Sequence, residues 1–468
     1  MLLRTVARHQ AACLLAFFLL AAAAAASRPN IVFILADDLG YADVGCFGQK
    51  RIPTPHLDRI AREGVRFTQF YAGSPVCAPS RNVLMTGQHT GHALFRRNAK
   101  LALPADQVTV ARLLREAGYR TALVGKWGLG AEGTTGAPLK QGFEHFFGYV
   151  DQTHAHNYFP TFLVRNGERV PLRNVVPDEG PLGQGVASVR VDYAAQLIAD
   201  EAVAWLGRQS RDQPFFLYYA PTLPHANNEG GEKGMEIPDY GAFAATDWPD
   251  NEKAFAAMVS QLDRDVGRII ETLERHELGE NTIVLFSSDN GPHREGGHDP
   301  DFFDSNGPFR GHKRDLYEGG IRVPLLAWAP GRVPAGKTSD FIAYQGDFLA
   351  TAADLAGIAV PAGLDSVSFR PALVGQTQAA RPALYWEFHE RATAQAVRDG
   401  NWKAVRSPLF TGPVELYDLA RDPGEATDVA AQHPEVVARL VRIMESAHVP
   451  SPHGPAPANS VARDVPAR

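Results

Sequence analysis

Short apolar runs alternate with amphipathic helical patterns through most of this chain, and this alternation constrains its fold more than any other feature. The first run, Ile31 to Leu35, has five successive apolar residues, which is typical of a strand buried on both faces. Similar runs follow at Thr121 to Val124, Phe215 to Tyr219, Ile283 to Phe286 and Val323 to Trp328. Apolar residues at helical spacing separate these runs. The pattern predicts an α/β fold with a large mixed, mostly parallel sheet sandwiched by helices.

The pattern changes after about Gly375, where the apolar runs become shorter. These runs are Ala383 to Phe388, Ala394 to Val397, Trp402 to Val405 and Glu415 to Tyr417, and an amphipathic helix from Val436 to Met444 follows them. We therefore predict a main catalytic unit over residues 28–375 and a small antiparallel sheet with one helix over residues 376–449. The tail, residues 450–468, is rich in Pro and Ala and is predicted to be disordered.

The first 26 residues have the features of a secretory signal peptide. Arg4 and Arg8 precede an apolar stretch, and a run of alanines then ends at Ser27. The stretch is short for a transmembrane anchor, and no later segment has the character of a membrane span. We expect cleavage after Ala26 and export to the periplasm or the extracellular space. Only Cys46 and Cys77 would then remain, and their number leaves a disulfide between them open.

The composition is that of an ordinary soluble enzyme, with 45% apolar and 21% charged residues in 468. The formal net charge is −6, and there is no long block of like charge. This balance does not indicate a nucleic-acid partner or an anionic membrane. An anionic substrate would need local cations, because the overall charge of the protein is negative.

Polar residues follow two of the predicted strands directly. Asp37 and Asp38 come after the first run, and Asp289 and Asn290 come after the run that ends at Phe286. The carboxyl ends of parallel strands meet at one edge of a sheet, so the two pairs are expected to lie together. Carboxylate and amide oxygens suit Ca²⁺ or Mg²⁺ better than zinc. Two solvated pairs of strand-end residues are the simpler alternative.

The most specific string is Cys77-Ala78-Pro79-Ser80-Arg81. A free cysteine is usually a buried small hydrophobic residue, and that is the alternative to a chemical role for Cys77. If a helix begins near Pro79, Arg81 lies one turn after Cys77 on the same face. The amino terminus of such a helix favours a negative charge beside it.

This string, in order with the acidic pairs and with Lys126, resembles the type I sulfatase family of the alkaline-phosphatase superfamily. The resemblance runs from Pro29 to Leu419 and implies an alkaline-phosphatase-like fold. In that family the cysteine is oxidised to formylglycine, whose hydrate attacks the sulfur of a sulfate ester. The resemblance implies that a formylglycine-generating or anaerobic sulfatase-maturating enzyme converts Cys77 in this way. It also implies one Ca²⁺, in preference to Mg²⁺, held by Asp37, Asp38, the modified Cys77, Asp289 and Asn290.

The same resemblance assigns further catalytic residues. Arg81 would support the formylglycine hydrate. Lys126 and Lys313 would bind the sulfate group, and His225 would donate a proton to the leaving group. Most sulfatases have a histidine two residues after the first lysine, but here that position is Gly128. The role of this histidine is therefore vacant or filled from elsewhere, with His154 and His156 as the candidates.

A sulfated carbohydrate is the expected substrate class, because the protein is predicted to be exported and polar side chains follow the metal-binding pair. The candidate substrate-binding residues are His154, His156, His293, His298, Glu387 and His389. Loop or strand positions without a special role are the alternative for each of them.

Two other functions remain open at this level. One is a phosphate or phosphonate ester hydrolase of the same superfamily, although such enzymes often use serine or threonine and two metal ions. The other is a catalytically impaired protein that binds sulfated glycans, which Gly128 would favour. The chain retains all five catalytic candidates, which argues against it: Cys77, Arg81, Lys126, His225 and Lys313.

Overall fold

A ten-stranded mixed sheet forms the centre of the fold in the computed structural model, which describes residues 28–390 and 393–454. The strands of the whole structure are β1 (Asn30–Ala36), β2 (Val65–Phe67), β3 (Phe70–Tyr71), β4 (Arg120–Lys126), β5 (His145–Tyr149), β6 (Phe162–Arg165), β7 (Glu168–Pro171), β8 (Phe215–Ala220), β9 (Thr282–Ser288), β10 (Leu325–Trp328), β11 (Lys337–Ser339), β12 (Ala343–Tyr344), β13 (Leu384–Phe388), β14 (Ala394–Asp399), β15 (Trp402–Arg406) and β16 (Val414–Asp418). The α-helices are α1 (Pro55–Glu63), α2 (Cys77–Thr86), α3 (Val110–Glu116), α4 (Ala194–Leu206), α5 (Asp250–Arg275), α6 (Pro300–Phe303), α7 (Glu318–Ile321), α8 (Asp347–Ala356), α9 (Arg370–Leu373) and α10 (Pro434–Ala447).

The sheet has the strand order β11-β2-β10-β9-β1-β8-β4-β5-β6-β7. Its five central strands, from β9 to β5, are parallel, and antiparallel pairs occur only toward the two edges. The strands predicted from the apolar runs all form, and the predicted mixed, mostly parallel α/β class is confirmed. The central position of β1 brings its carboxyl end beside those of β9 and β8.

Residues of β1 alternate between two hydrophobic cores, which explains its continuous apolar sequence. Val32 and Ile34 pack with α4 and α5 on one face of the sheet. Ile31, Phe33 and Leu35 pack with α2, α3 and α8 on the other face. A strand covered by helices on both faces needs apolar residues at every position. The predicted helical sandwich is therefore present.

A separate four-stranded antiparallel sheet, β13-β14-β15-β16, lies between the main unit and α10. Trp386 on its inner face is fully buried and donates a hydrogen bond from Nε1 to the Ala72 carbonyl oxygen, 2.9 Å away. On the other face, Val397 and Leu416 pack against Leu440 and Met444 of α10. The predicted small sheet and helix are thus present, and the boundary at residue 375 stays a prediction.

Several other expectations concern the chain ends and the cysteines. The predicted signal peptide lies outside the described residues, and so does the tail after residue 454. None of the helices in residues 28–390 and 393–454 combines the length and the apolar character that a transmembrane span requires. Cys46 and Cys77 are both free thiols, so the structure contains no bridge between them.

Asp265 of α5 provides a pH-dependent contribution to stability. Burial raises the pKa of its carboxyl to about 7, and Oδ2 has no hydrogen-bond partner among the described residues. The unfolded value is about 4, so between about pH 4 and 7 the folded protein binds the proton more tightly and is favoured. This contribution declines as the pH rises through that window. We expect Asp265→Asn to raise the free energy of unfolding by about 1 kcal/mol at pH 8 and by much less at pH 5.

Urea unfolding at the two pH values measures this difference. Asp200→Asn is a matched control, because Asp200 is exposed and pairs with the same arginine, Arg268. Equal effects of Asp265→Asn at both pH values would contradict the assignment.

Candidate active site

The two acidic pairs meet at the carboxyl edge of the sheet, as the strand order requires. Ala36 and Ser288 are aligned at the ends of the neighbouring strands β1 and β9. The Asp38 backbone N–H donates to Asp289 Oδ1 at 3.0 Å, and Asn290 Nδ2 donates to Asp38 Oδ1 at 2.7 Å. Asp38 has a φ of 66°, a left-handed conformation that is uncommon for a residue with a side chain. These contacts hold its carboxylate toward the same centre as the other acidic side chains.

Cys77 lies at the amino terminus of α2, close to the acidic cluster. The helix begins at Cys77, two residues before the position expected from Pro79, and ends at Thr86, after which Gly87 has a φ of 67°. The Ala78 N–H, free at the start of the helix, donates to Asn98 Oδ1 at 3.1 Å. Cys77 Sγ is 3.8 Å from Asp38 Oδ1. Burial raises the thiol pKa far above its usual value, so the unmodified side chain is a neutral thiol.

Arg81 and Lys126 neutralise the carboxylates from one side. Arg81 donates to Asp289 Oδ2 at 2.8 Å and approaches Asp37 Oδ1 at 3.3 Å. Lys126, the last residue of β4, donates from Nζ to Asp37 Oδ2 at 2.7 Å. Arg81 lies one helical turn after Cys77 and is fully buried.

Lys313 and His225 close the other side of the cluster. Lys313 Nζ donates to Asp38 Oδ2 at 2.7 Å and to Glu295 Oε2 at 2.8 Å. It is also 3.2 Å from His225 Nε2, while His225 Nδ1 is 2.6 Å from the Ala226 carbonyl oxygen. Nδ1 must therefore carry the hydrogen, and Nε2 accepts from the lysine. Burial and Lys313 lower the pKa of His225 to about 3, so its ring is neutral in this arrangement.

The charges of the cluster determine its acid–base state. Burial opposes ionisation of Asp37, but Lys126 and Arg81 outweigh it and hold the pKa well below its usual value. Lys313 has the same effect on Asp38. Burial and the neighbouring Asp37 raise the pKa of Asp289 to about 7. Above about pH 7 the three carboxylates are therefore all ionised, and they face three buried cations, Arg81, Lys126 and Lys313.

The cluster fits a hard cation chemically. Asp37 Oδ1 and Asn290 Oδ1 are buried and accept no hydrogen bond within the part of the chain that the structure describes. Ligand atoms of Asp37, Asp38, Cys77 and His225 lie within 4.8 Å of one another. Carboxylate and amide oxygens with free lone pairs are what Ca²⁺ or Mg²⁺ binds. Of the residues predicted as metal ligands, Asp37 and Asn290 thus have a free acceptor, whereas both oxygens of Asp289 already accept hydrogen bonds, from the Asp38 N–H and from Arg81.

The candidate substrate-binding histidines divide into two groups. His156 stacks on the His225 ring at a centroid distance of 5.1 Å, and the His293 ring is 6.1 Å from that of His225. Both therefore border the cluster. His154 instead packs against Tyr149 and Phe162, and burial lowers its pKa to about 3. These aromatic contacts are those of a core residue.

His298, Glu387 and His389 have structural partners. His298 stacks on Phe255 at 3.8 Å and is 2.7 Å from Glu252 Oε2 through Nδ1. Glu387 pairs with Arg96 and accepts from Tyr385 at 2.6 Å, and His389 Nε2 is 3.0 Å from Glu387 Oε1. Through Arg96, the Glu387 network joins the small sheet to the segment that contains Asn98. Glu387 and His389 are therefore linked to the Cys77 helix only through Asn98.

Sequence reasoning missed three residues around the cluster. Glu295 joins Lys313 to Arg314, which contacts Glu295 Oε1 at 2.6 Å. Asn98 caps the Cys77 helix, as described above. Gln152 lies beside Gly128, where a Cβ would come within 2.6 Å of its Oε1. Polar loops supply all three, and a lone polar residue in a loop has no spacing that distinguishes it. The residue next to Gly128 is thus Gln152, and neither His154 nor His156 has this contact.

The comparisons with known proteins agree with this geometry. The chain matches the family model described as Sulfatase over residues 29–358 and the model described as N-sulphoglucosamine sulphohydrolase, C-terminal, over residues 308–449. It is 34% identical to arylsulfatase A of Homo sapiens over 467 residues, which cover 89% of this chain and 87% of that protein. It is 30% identical to N-acetylgalactosamine-6-O-sulfatase of Bacteroides thetaiotaomicron, with 90% of this chain and 93% of that protein covered.

Solved structures give the same result for the fold. The structure of Ps i-CgsB in complex with k-i-k-neocarrahexaose matches with a TM-score of 0.75 and 30% identity, over 90% of this chain and 92% of that one. The match to the family model covers most of the sequence, and the similarity to sulfatases extends over nearly the whole described structure. The chain therefore belongs to the type I sulfatase family of the alkaline-phosphatase superfamily and is a sulfuric ester hydrolase.

Proposed function

We propose that this protein hydrolyses sulfate monoesters of a carbohydrate, after export, through formylglycine formed from Cys77 and with one bound Ca²⁺. The observation that carries the proposal is the buried cluster in which Cys77 Sγ lies 3.8 Å from Asp38, beside two lysines and an arginine. Cys77 Sγ marks the place that the formylglycine oxygen takes after maturation. The hydrate supplies both a nucleophile for sulfur and a second hydroxyl whose proton loss expels sulfate.

The cluster suits this chemistry electrostatically. Its buried cations already balance its carboxylates, so a Ca²⁺ ion held by Asp37, Asp38, Asp289 and Asn290 would add two uncompensated positive charges. Such a cation favours the ionised form of an oxygen nucleophile and attracts an anionic ester. A singly charged sulfate monoester and an ionised hydrate would together restore neutrality. A buried site of this kind stabilises charge more effectively than water does.

The protein's own residues then have separate tasks. Lys126 and Lys313 approach the centre from opposite sides and can each turn from an aspartate to a sulfate oxygen. Arg81 stays fixed by Asp289 and orients the nucleophile at the start of α2. His225 Nε2 accepts a hydrogen bond from Lys313, so it must first take a proton, which the lysine can supply, before it donates one to the leaving alcohol.

Lys313 also favours a sulfatase over the alternative two-metal phosphate ester hydrolase. Its ammonium group donates to Asp38 at 2.7 Å and to Glu295 at 2.8 Å, two of the three residues that, with His293, could hold a second metal ion. A buried lysine supplies one positive charge in place of two, which suits a monoanionic ester better than a dianionic phosphate. The intact set of charged residues argues against a protein that only binds glycans.

The carbohydrate part of the proposal rests on relatives. The similar protein from Bacteroides thetaiotaomicron is named for a sulfated amino sugar, and Ps i-CgsB was solved with a carrageenan oligosaccharide, k-i-k-neocarrahexaose. His156 and His293 border the cluster and can contact the alcohol part of such a substrate.

A mass spectrum of the peptide that contains Cys77 tests the proposal most directly. Protein produced with a formylglycine-generating or anaerobic maturation enzyme should carry a residue about 18 Da lighter than cysteine. The matured protein should release sulfate, and little phosphate, from matched esters. An unmodified cysteine in active protein would contradict the proposed nucleophile, and equal phosphate release would favour the alternative. Export predicts a mature amino terminus at Ser27, which amino-terminal sequencing of the secreted protein would detect.

Removal of the metal ion should abolish activity but leave the fold intact. We expect this because Arg81, Lys126 and Lys313 already pair with the carboxylates that would bind it. Excess chelator should reduce sulfate release at least about 100-fold and lower the melting temperature by several degrees, since a ligand that binds only the folded state stabilises it. Ca²⁺ should restore both more effectively than Mg²⁺. Full activity in chelator would contradict a metal-dependent mechanism.

A further inference from the structure

A cavity of about 340 Å³ lies beside the proposed reacting centre. Its walls come from residues 98–102, from the loop at 128–134 and from residues 150–153. Its volume falls within the range of about 300–1,000 Å³ that is common for small-molecule sites. None of the roles assigned above uses this cavity.

Two of its walls are attached to catalytic elements. Asn98 lines the cavity and accepts the hydrogen bond of the Ala78 N–H, one residue after Cys77. Gly128 lines it two residues after Lys126, whose Nζ holds Asp37 at 2.7 Å. Residues that adjoin Cys77 and Lys126 thus line the cavity, and the alcohol part of a bound ester can extend from the cluster toward it.

Gly128 gives the cavity its shape. Its φ is 82°, a conformation that favours glycine, and a Cβ would lie only 2.6 Å from Gln152 Oε1. A side chain at this position would displace the Gln152 carboxamide. The absence of one allows the carboxamide to lie against Gly128 at the cavity wall.

Gln152 Oε1 is an unused acceptor. The atom is buried and accepts no hydrogen bond within residues 28–390 and 393–454. A buried acceptor without a donor is unfavourable, so this atom needs a donor from water or from a bound molecule. The nearby Asp151 carboxylate is already engaged by the Thr153 N–H at 2.7 Å. Leu101, Val150 and Leu182 give the cavity apolar walls, and Lys100, Thr134 and Thr153 add polar groups to its lining.

We propose that this cavity holds the sugar ring that carries the sulfate, with Gln152 Oε1 accepting a hydrogen bond from one of its hydroxyl groups. A sugar ring offers apolar C–H faces and hydroxyl donors, which match apolar walls and a free acceptor. Gly128 and Gln152 then determine specificity together, because the first keeps open the space that the second uses. The inference rests on the proposed sulfatase function and specifies where its substrate binds.

The test compares two kinds of substrate on the matured enzyme. One kind is a panel of galactose, N-acetylgalactosamine and N-acetylglucosamine monosulfates, and the other is 4-nitrophenyl sulfate, which has no ring hydroxyl. Gln152→Leu keeps the size of the side chain but removes the acceptor. We expect it to lower the ratio of kcat/KM for the best sugar sulfate to that for the aryl sulfate about tenfold, and Gln152→Glu to recover part of this loss.

Ala131→Trp provides a second measurement that does not depend on Gln152. Ala131 is exposed at the cavity wall, so a large ring there should fill the cavity without disturbing the core, and it should lower the same ratio. Gln196→Leu is the matched control, because Gln196 is exposed on α4 and its variant should keep the wild-type ratio.

The possible failures are distinguishable. A wild-type ratio in both Gln152→Leu and Ala131→Trp would overturn the assignment of the cavity and leave the sulfatase function standing. Turnover of the aryl sulfate without turnover of any sugar sulfate would also overturn the assignment of the cavity and leave the sulfatase function standing. Formylglycine-containing protein that hydrolyses no sulfate ester would overturn the proposed function, and the sugar site with it.

Discussion

Replacing Cys77 with alanine should abolish sulfate ester hydrolysis, with an expected loss of about 10⁵-fold or more in kcat. The reason is that alanine cannot be converted to formylglycine, so no nucleophile remains at the start of α2. Cys77 is fully buried beside Asp38, and its substitution removes one sulfur atom without a charge. Release of sulfate from 4-nitrophenyl sulfate and from a sugar sulfate measures the effect.

Cys46→Ala is the matched control for this experiment. Cys46 is the other free thiol of the described structure, and it is only half-buried. Its variant should keep wild-type activity, and both variants should unfold close to the wild-type temperature. Activity of Cys77→Ala within tenfold of wild type would exclude Cys77 as the source of the nucleophile.

Replacing Lys313 with methionine should lower kcat about 10³-fold. Methionine keeps most of the apolar stem but removes the ammonium group that contacts Asp38, His225 and Glu295. A sulfate oxygen and the departing alcohol would then lose the cation that stabilises their charge in the transition state. Because the effect concerns the transition state, kcat should fall more than KM rises.

Lys337→Met serves as the control, since Lys337 is an exposed lysine on the edge strand β11. It should keep wild-type kinetics. Circular dichroism and thermal unfolding should show that Lys313→Met is folded, because Arg314 still pairs with Glu295. A loss confined to KM would indicate that Lys313 contributes only to ground-state binding.

Most strands of the sheet centre and the cluster at their carboxyl ends could be predicted from local sequence, whereas short strands such as β2, β6 and β11 were not. A strand buried on both faces requires apolar residues at successive positions. The continuous apolar runs of β1 and β8 therefore predict both strands. Once the strands are placed, their carboxyl ends converge, and Asp37 and Asp289 must lie together. The start of α2 was less accurate by two residues, because Pro79 is tolerated at more than one position of a first helical turn.

The surrounding loops could not be predicted in this way. His154 and His156 belong to one short 3₁₀ turn, yet one packs among aromatic residues and the other stacks on His225. His154 and His156 are only two positions apart, yet the first lies in the core and the second lies beside the cluster. Only the packing of the turn against its neighbours decides which side chain points where.

The sequence by itself determined the α/β class, the catalytic string at Cys77 and the set of acidic and basic residues that belong with it. These features depend on the local periodicity of apolar residues and on where the strands end, and residues close together in the sequence determine both. Only the tertiary structure decided that Glu295 joins Lys313 to Arg314, that Asn98 caps the Cys77 helix and that Gln152 lies beside Gly128. These contacts join loops that are distant in the chain. They could not be predicted because long-range packing sets the positions of loop side chains, and such packing leaves no pattern in a single sequence.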